Sequence, residues 1–230
     1  MKQLSLASGV EVRKIQLMKN TLVAAACGLI GFAAAPEARA QTLGKPLDVV
    51  FSGDRLFGVS FSKQITGRPG QPDDVFDSTR IGFGWSGRTN ISPYEVPRAA
   101  VDVFVTEQLS LGGSLGFANV SMDDNDGRRS SSTESIVFAP RVGYLWPIST
   151  AFSFWLRGGF TYHSTDPGNE NGLGLTAEPT FVLTPAEHFG IVFGPTLDVD
   201  FSGAVDSGPN RVMRHYQTIG LIQVGILGWL

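Results

Sequence analysis

Residues 135–163 (SIVFAPRVGYLWPISTAFSFWLRGGFTYH) alternate in character on both sides of Pro147-Ile148-Ser149-Thr150. Before that turn, Ile136, Phe138, Pro140, Val142, Tyr144 and Trp146 share one parity, and Val137, Ala139, Arg141 and Gly143 take the other. After it, Phe152, Phe154, Leu156, Phe160 and Tyr162 oppose Ser153, Arg157, Gly159, Thr161 and His163. A period of two places successive side chains on opposite faces of a strand, so the stretch predicts a β-hairpin. Nearly all its aromatics lie on one continuous apolar face, while the other face mixes glycine, small polar residues and one arginine per strand. That distribution is inside-out for a sheet in water.

The same alternation recurs along the chain. A first strand is predicted at 55–62, with Phe57, Val59 and Phe61 against Gly58, Ser60 and Ser62. A long polar segment, 63–96, follows, within which 78–85 (STRIGFGW) could add a short strand of its own. Further strands are predicted at 97–106, 109–120, 173–183, 189–201 and 216–230. With the opening hairpin, the main strands number eight. Tight turns at 106–108, 147–150 and 184–188 fall on one side, and polar loops at 63–96, 121–132, 164–172 and 202–210 fall on the other. In the last strand Tyr216, Ile222, Val224, Ile226 and Leu230 are placed on the apolar face.

Composition agrees with an apolar environment. Only 17% of the 230 residues are charged, against about 25% in ordinary soluble domains, and beyond the N-terminal region no apolar run is long enough for a membrane helix. Residues 1–40 read as an export signal starting at Met1 or at Met18: a basic end, an apolar segment 21–35, and Ala38-Arg39-Ala40 fitting cleavage before Gln41. Cys27 could alternatively mark a lipidated cysteine, but the apolar residues that continue past it suit the middle of a signal better. Residues 41–230 then form one domain without cysteine, which excludes a disulfide scaffold, a thiol nucleophile and a cysteine metal site. That domain keeps 13 Lys and Arg against 19 Asp and Glu, so no nucleic-acid footprint is present.

Alternating long and short connections, an outward apolar band and a polar inner face predict an all-β fold, an eight-stranded antiparallel up-and-down transmembrane β-barrel. Exposed apolar bands persist in lipid, and a closed barrel leaves no unpaired edge there. Tyr144 and Trp146 at the turn side, and Phe160 and Tyr162 at the loop side, suit the two interfacial girdles.

The export signal, the eight alternating segments and a terminal strand QVGILGWL together resemble the small outer-membrane β-barrel proteins of Gram-negative bacteria, the OmpA-like and OmpX-like barrels. Residues 95–117 (EVPRAAVDVFVTEQLSLGGSLGF) and 54–61 (DRLFGVSF) are similar to segments of uncharacterised members of that group. The resemblance implies outer-membrane localisation, contact with outer-membrane lipids and lipopolysaccharide, insertion by the barrel-assembly machinery, a monomer and no cofactor. Trp229-Leu230 departs from the terminal phenylalanine many such proteins carry.

Candidate functional residues lie on the inner face: Asp102, Arg141, Arg157, Glu178 and Asp198, with Gln223. The favoured reading is a lumen charge network that closes the pore, since eight strands leave an interior that side chains fill and charges there must pair. Glu178 is expected to pair with Arg157, and Asp102 or Asp198 to neutralise Arg141. A second reading is a lipid-modifying enzyme built on His163, Ser164, Asp166 or His215; a third is a soluble exported barrel carrying an apolar ligand. Neighbouring strand residues face opposite ways, which sets His163 and Ser164 apart. Residues 123–127 (DDNDG) read as a solvated acidic loop, lacking the spacing of a calcium loop. The face assignment also predicts that Phe154→Arg impairs insertion more than Ser153→Arg or Thr161→Arg.

Overall fold

The computed structural model describes residues 43–68, 70–83, 92–122, 131–166, 168–207 and 210–230. The export signal and the acidic stretch 123–127 lie outside these. Among the described residues the chain is all-β, with nine strands: β1 (Val49–Gly67), β2 (Asp74–Phe83), β3 (Arg98–Phe104), β4 (Leu109–Met122), β5 (Ser131–Pro147), β6 (Phe152–Asp166), β7 (Glu170–Ala186), β8 (Phe189–Ser207) and β9 (Asn210–Trp229). Every pairing is antiparallel, and β1 closes the sheet onto β9.

Nine strands make eight staves, because the second stave is split. β3 pairs the lower part of β1 (Val49↔Val103 to Asp54↔Arg98), and β2 pairs the same edge higher up (Phe57↔Phe83 to Thr66↔Asp74). The additional strand suggested at 78–85 therefore exists, displaced to 74–83. Between the two half-staves the chain turns inward through a 3-10 turn, Pro93–Glu95, with Pro93 and Tyr94 buried.

Two of the expected polar loops, 164–172 and 202–210, are mostly strand, and the third, 121–132, is strand at both of its ends. β6 runs to Asp166 and β7 starts at Glu170; β8 runs to Ser207 and β9 starts at Asn210; β4 and β5 pair as far as Met122↔Ser131. A tilted strand needs about 9–11 residues to cross a membrane, whereas β8 and β9 have 19 and 20. Their upper parts carry the backbone ladder past the regular apolar alternation, with Val205 paired to Val212 and both still buried.

The two-face assignment holds for seven staves: Phe57, Val101, Leu115, Phe138, Val142, Leu156, Phe160, Leu175 and Leu197 are exposed, while Ser60, Asp102, Ser114, Val137, Arg141, Arg157, Thr161, Glu178 and Asp198 are buried. At the turn side Tyr144, Trp146, Phe154, Phe181 and Phe193 form an aromatic belt across β5 to β8, with ring centroids 4.3–5.9 Å apart. In β9 the assignment fails at one residue. Val59 pairs Ile222 and Ser60 pairs Gly220, so Leu221 is an extra residue, a β-bulge. The bulge reverses parity, and Tyr216 is inside at 7% exposure rather than on the apolar face.

Candidate functional site

The lumen is filled in layers. At the short-turn end Leu43, Val50, Phe104, Leu145, Trp155, Val182, Val192, Leu227 and Trp229 form an apolar core. The polar interior expected from the alternation is thus replaced at this end by apolar side chains that seven of the eight staves turn inward.

Above that core lies the charge layer. Register places Arg157 opposite Glu178, and Arg141 opposite Gly159, one inward pair from Arg157. Glu178 meets Arg157 at 3.0 Å, Arg55 at 2.9 Å and Arg141 at 3.4 Å. Arg141 takes Asp102 through Nε (3.0 Å) and Nη2, and Asp54 through Nη1 at 2.6 Å. Asp198 accepts two bonds from Arg55, at 2.8 and 3.0 Å, and one from Thr176. The five candidate residues therefore share one layer. Gln223 sits apart, donating to the Val59 carbonyl.

Three members were absent from the sequence-based set. Asp54 and Arg55 are consecutive, yet both are buried, at 2% and 5% exposure. The cause is a second bulge: β1 advances from Gly53 to Phe57 while β9 steps only from Ile226 to Val224, with Arg55 at φ 58°. A left-handed residue breaks the strand's alternation and turns both charges inward. Arg98, buried at 2% exposure, shares the parity of Asp102 and pairs across from Asp54 in register; that parity was a readable signal. Four arginines and four carboxylates balance within the layer. Close packing around it demands glycine at position 112, where a Cβ would lie 2.3 Å from the Val101 carbonyl oxygen.

On top of the charge layer sits the inward turn. Arg55 Nη1 donates to the Tyr94 carbonyl, the Tyr94 hydroxyl donates to Asp200, and Ser60 and Ser62 donate to Glu95. His163 lies 3.2 Å from Asp200 through Nε2, edge-on to Tyr94 and Tyr216, and it is fully buried. Ser164 pairs across the ladder with Ile136 and Asn171, on the next residue of the strand and so on the opposite face. No hydrogen bond joins His163 to Ser164 or Asp166 among the described residues. A histidine base and serine nucleophile are therefore not brought together here. Nearer the rim, Arg214 pairs Glu170 at 2.6 Å.

Two gaps inside the wall are small among the described residues. The gap beside Arg98, Ser114 and Glu178 and the gap beside Arg55, Arg80 and Glu95 each hold about 10 Å³, on the order of one water. An apolar cargo does not fit in either.

No protein-family model and no curated protein sequence matches the chain. Solved structures that it is similar to include the outer membrane protein OprG from Pseudomonas aeruginosa, 10% identical over 83% of this chain and 99% of that one, with a TM-score of 0.47. Ail, the attachment invasion locus protein of Yersinia pestis, is 9% identical over 78% of this chain and 99% of that one, with a TM-score of 0.34.

Proposed function

We propose that the chain is an outer-membrane β-barrel protein with a closed lumen, exported by its N-terminal signal and acting at its long-loop end in a structural or surface-interaction role. One observation carries the reading. A closed antiparallel wall turns an almost uncharged, aromatic-rich band outward and packs its charges inward, the arrangement lipid requires. A soluble carrier would have the opposite arrangement. In this setting the surrounding partners are outer-membrane lipids and lipopolysaccharide, and the barrel-insertion machinery acts on the last strands.

Two measurements test it together. The protein is expected in the outer-membrane fraction, with migration in detergent gels that changes on heating; recovery in the soluble periplasmic fraction would overturn the membrane assignment. In planar bilayers the wild type is expected to show no large, steady conductance, because the apolar core and the charge layer both cross the lumen. Steady openings of porin size would overturn the closed lumen and leave the membrane assignment standing.

A further inference from the structure

Residues 92–97 are held in the lumen by side chains rather than by the sheet. Within the turn Glu95 N donates to the Ser92 carbonyl at 2.9 Å, and none of the ladder pairings includes these residues. The attachments run to four staves: Ser92 Oγ to Thr218 Oγ1 at 2.9 Å, Glu95 to Ser60 and Ser62, the Tyr94 carbonyl to Arg55, the Tyr94 hydroxyl to Asp200, and the Glu95 carbonyl to Arg80 Nη1 at 3.3 Å. Meanwhile the ladder pairings of β1, β2 and β3 do not depend on this segment. β3 pairs β1 below it and β2 pairs β1 above it, so the turn can leave the lumen without breaking a single rung.

We infer that residues 92–97 are an internal stopper with two positions, and that Asp200 is its latch. Asp200 is the shared acceptor at this level, taking the Tyr94 hydroxyl, His163 Nε2 and, at 2.9 Å, the Tyr216 backbone N–H. The last two partners belong to the wall, and Tyr94 belongs to the stopper. In the seated position Tyr94 covers the charge layer and its carbonyl accepts from Arg55 Nη1. Withdrawn, the stopper admits water down to Arg55, Thr196 and Asp198, while the apolar core still seals the short-turn end. The device thus governs access to a charged cup open on the long-loop side, and it rests on the closed-barrel reading given above.

The test is the rate at which a charged methanethiosulfonate reagent modifies Thr196→Cys in the folded, detergent-solubilised protein carrying only that cysteine. Thr196 is buried at 4% exposure on the inner face of β8 and is not itself part of the latch. Tyr94→Phe and Asp200→Asn are each expected to accelerate modification about tenfold, the effect of losing roughly one net hydrogen bond on an opening equilibrium. Val182→Ala, which loosens the apolar core without touching the latch, is the control and is expected to leave the rate unchanged. Latch variants that stay folded by gel mobility and react at the wild-type rate would overturn the inference, as would equal acceleration by Val182→Ala. Steady conductance in the wild type would instead indict the closed-lumen reading.

Discussion

Glu178→Ala is expected to destabilise the barrel by about 3–5 kcal/mol, the cost of removing one partner from a buried ionic cluster. Glu178 is 3% exposed and touches Arg55, Arg141 and Arg157, so its loss leaves the four buried guanidiniums of the layer, Arg98 included, to share Asp54, Asp102 and Asp198. Urea unfolding in lipid vesicles, followed through the fluorescence of Trp155 in the adjoining core, measures the effect. Glu178→Gln keeps the shape and removes the charge, and it should lie between wild type and alanine. Exchanging Arg157 and Glu178 together for Met and Leu should cost less than Glu178→Ala alone, since no charge of that pair is then left unpartnered. A loss below about 1 kcal/mol for Glu178→Ala, the range of exposed pairs, would mean that the layer is solvated and the lumen open to water.

Val142→Arg should produce the other large effect, an insertion defect of about 2–4 kcal/mol, the cost of a cation facing lipid near mid-membrane. Val142 is 48% exposed and pairs with Gly158, four residues along β5 from Trp146 in the turn-side aromatic belt. That spacing is about 13 Å of strand, or about 10 Å of depth at a tilt near 40°, close to the middle of a band about 25 Å tall. Phe154 lies within the belt itself, so Phe154→Arg should cost about 0–1 kcal/mol, the interfacial value, less than its face alone suggested. On the lumen side the tolerance expected for Thr161→Arg is withdrawn: Thr161 is fully buried and shares a 2.6 Å hydrogen bond with Thr176, leaving no room for a guanidinium. Folding yields into vesicles for the three variants check the order; equal yields for Val142→Arg and wild type would refute the lipid-facing assignment.

The register across the short turns explains why much of the charge layer was legible before any coordinates. Arg141, Arg157 and Glu178 lie at similar distances from tight turns, and tight turns set register. With inner parity also known, Glu178 opposite Arg157 follows from counting, while the partner of Arg141 stayed open between Asp102 and Asp198 until the structure set Asp102 beside it. Arg98 was reachable by the same parity. Asp54 and Arg55 were not, because their inward aim depends on a left-handed residue that alternation cannot express.

By itself, then, the sequence determined the two faces of the wall, the stave count and the turn order, because a strand's side chains alternate with a fixed period and an apolar face must meet an apolar medium. Only the tertiary structure decided where that period is interrupted. The bulges at Arg55 and Leu221 and the inward turn at Tyr94 are settled by pairing across strands distant in sequence, which alternation does not register, and of the split second stave only the short strand suggested at 78–85 was legible. It also decided what lies inside at the short-turn end. Leu43, Phe104, Trp155 and Trp229 come from distant parts of the chain, and only the closed wall brings them into one core.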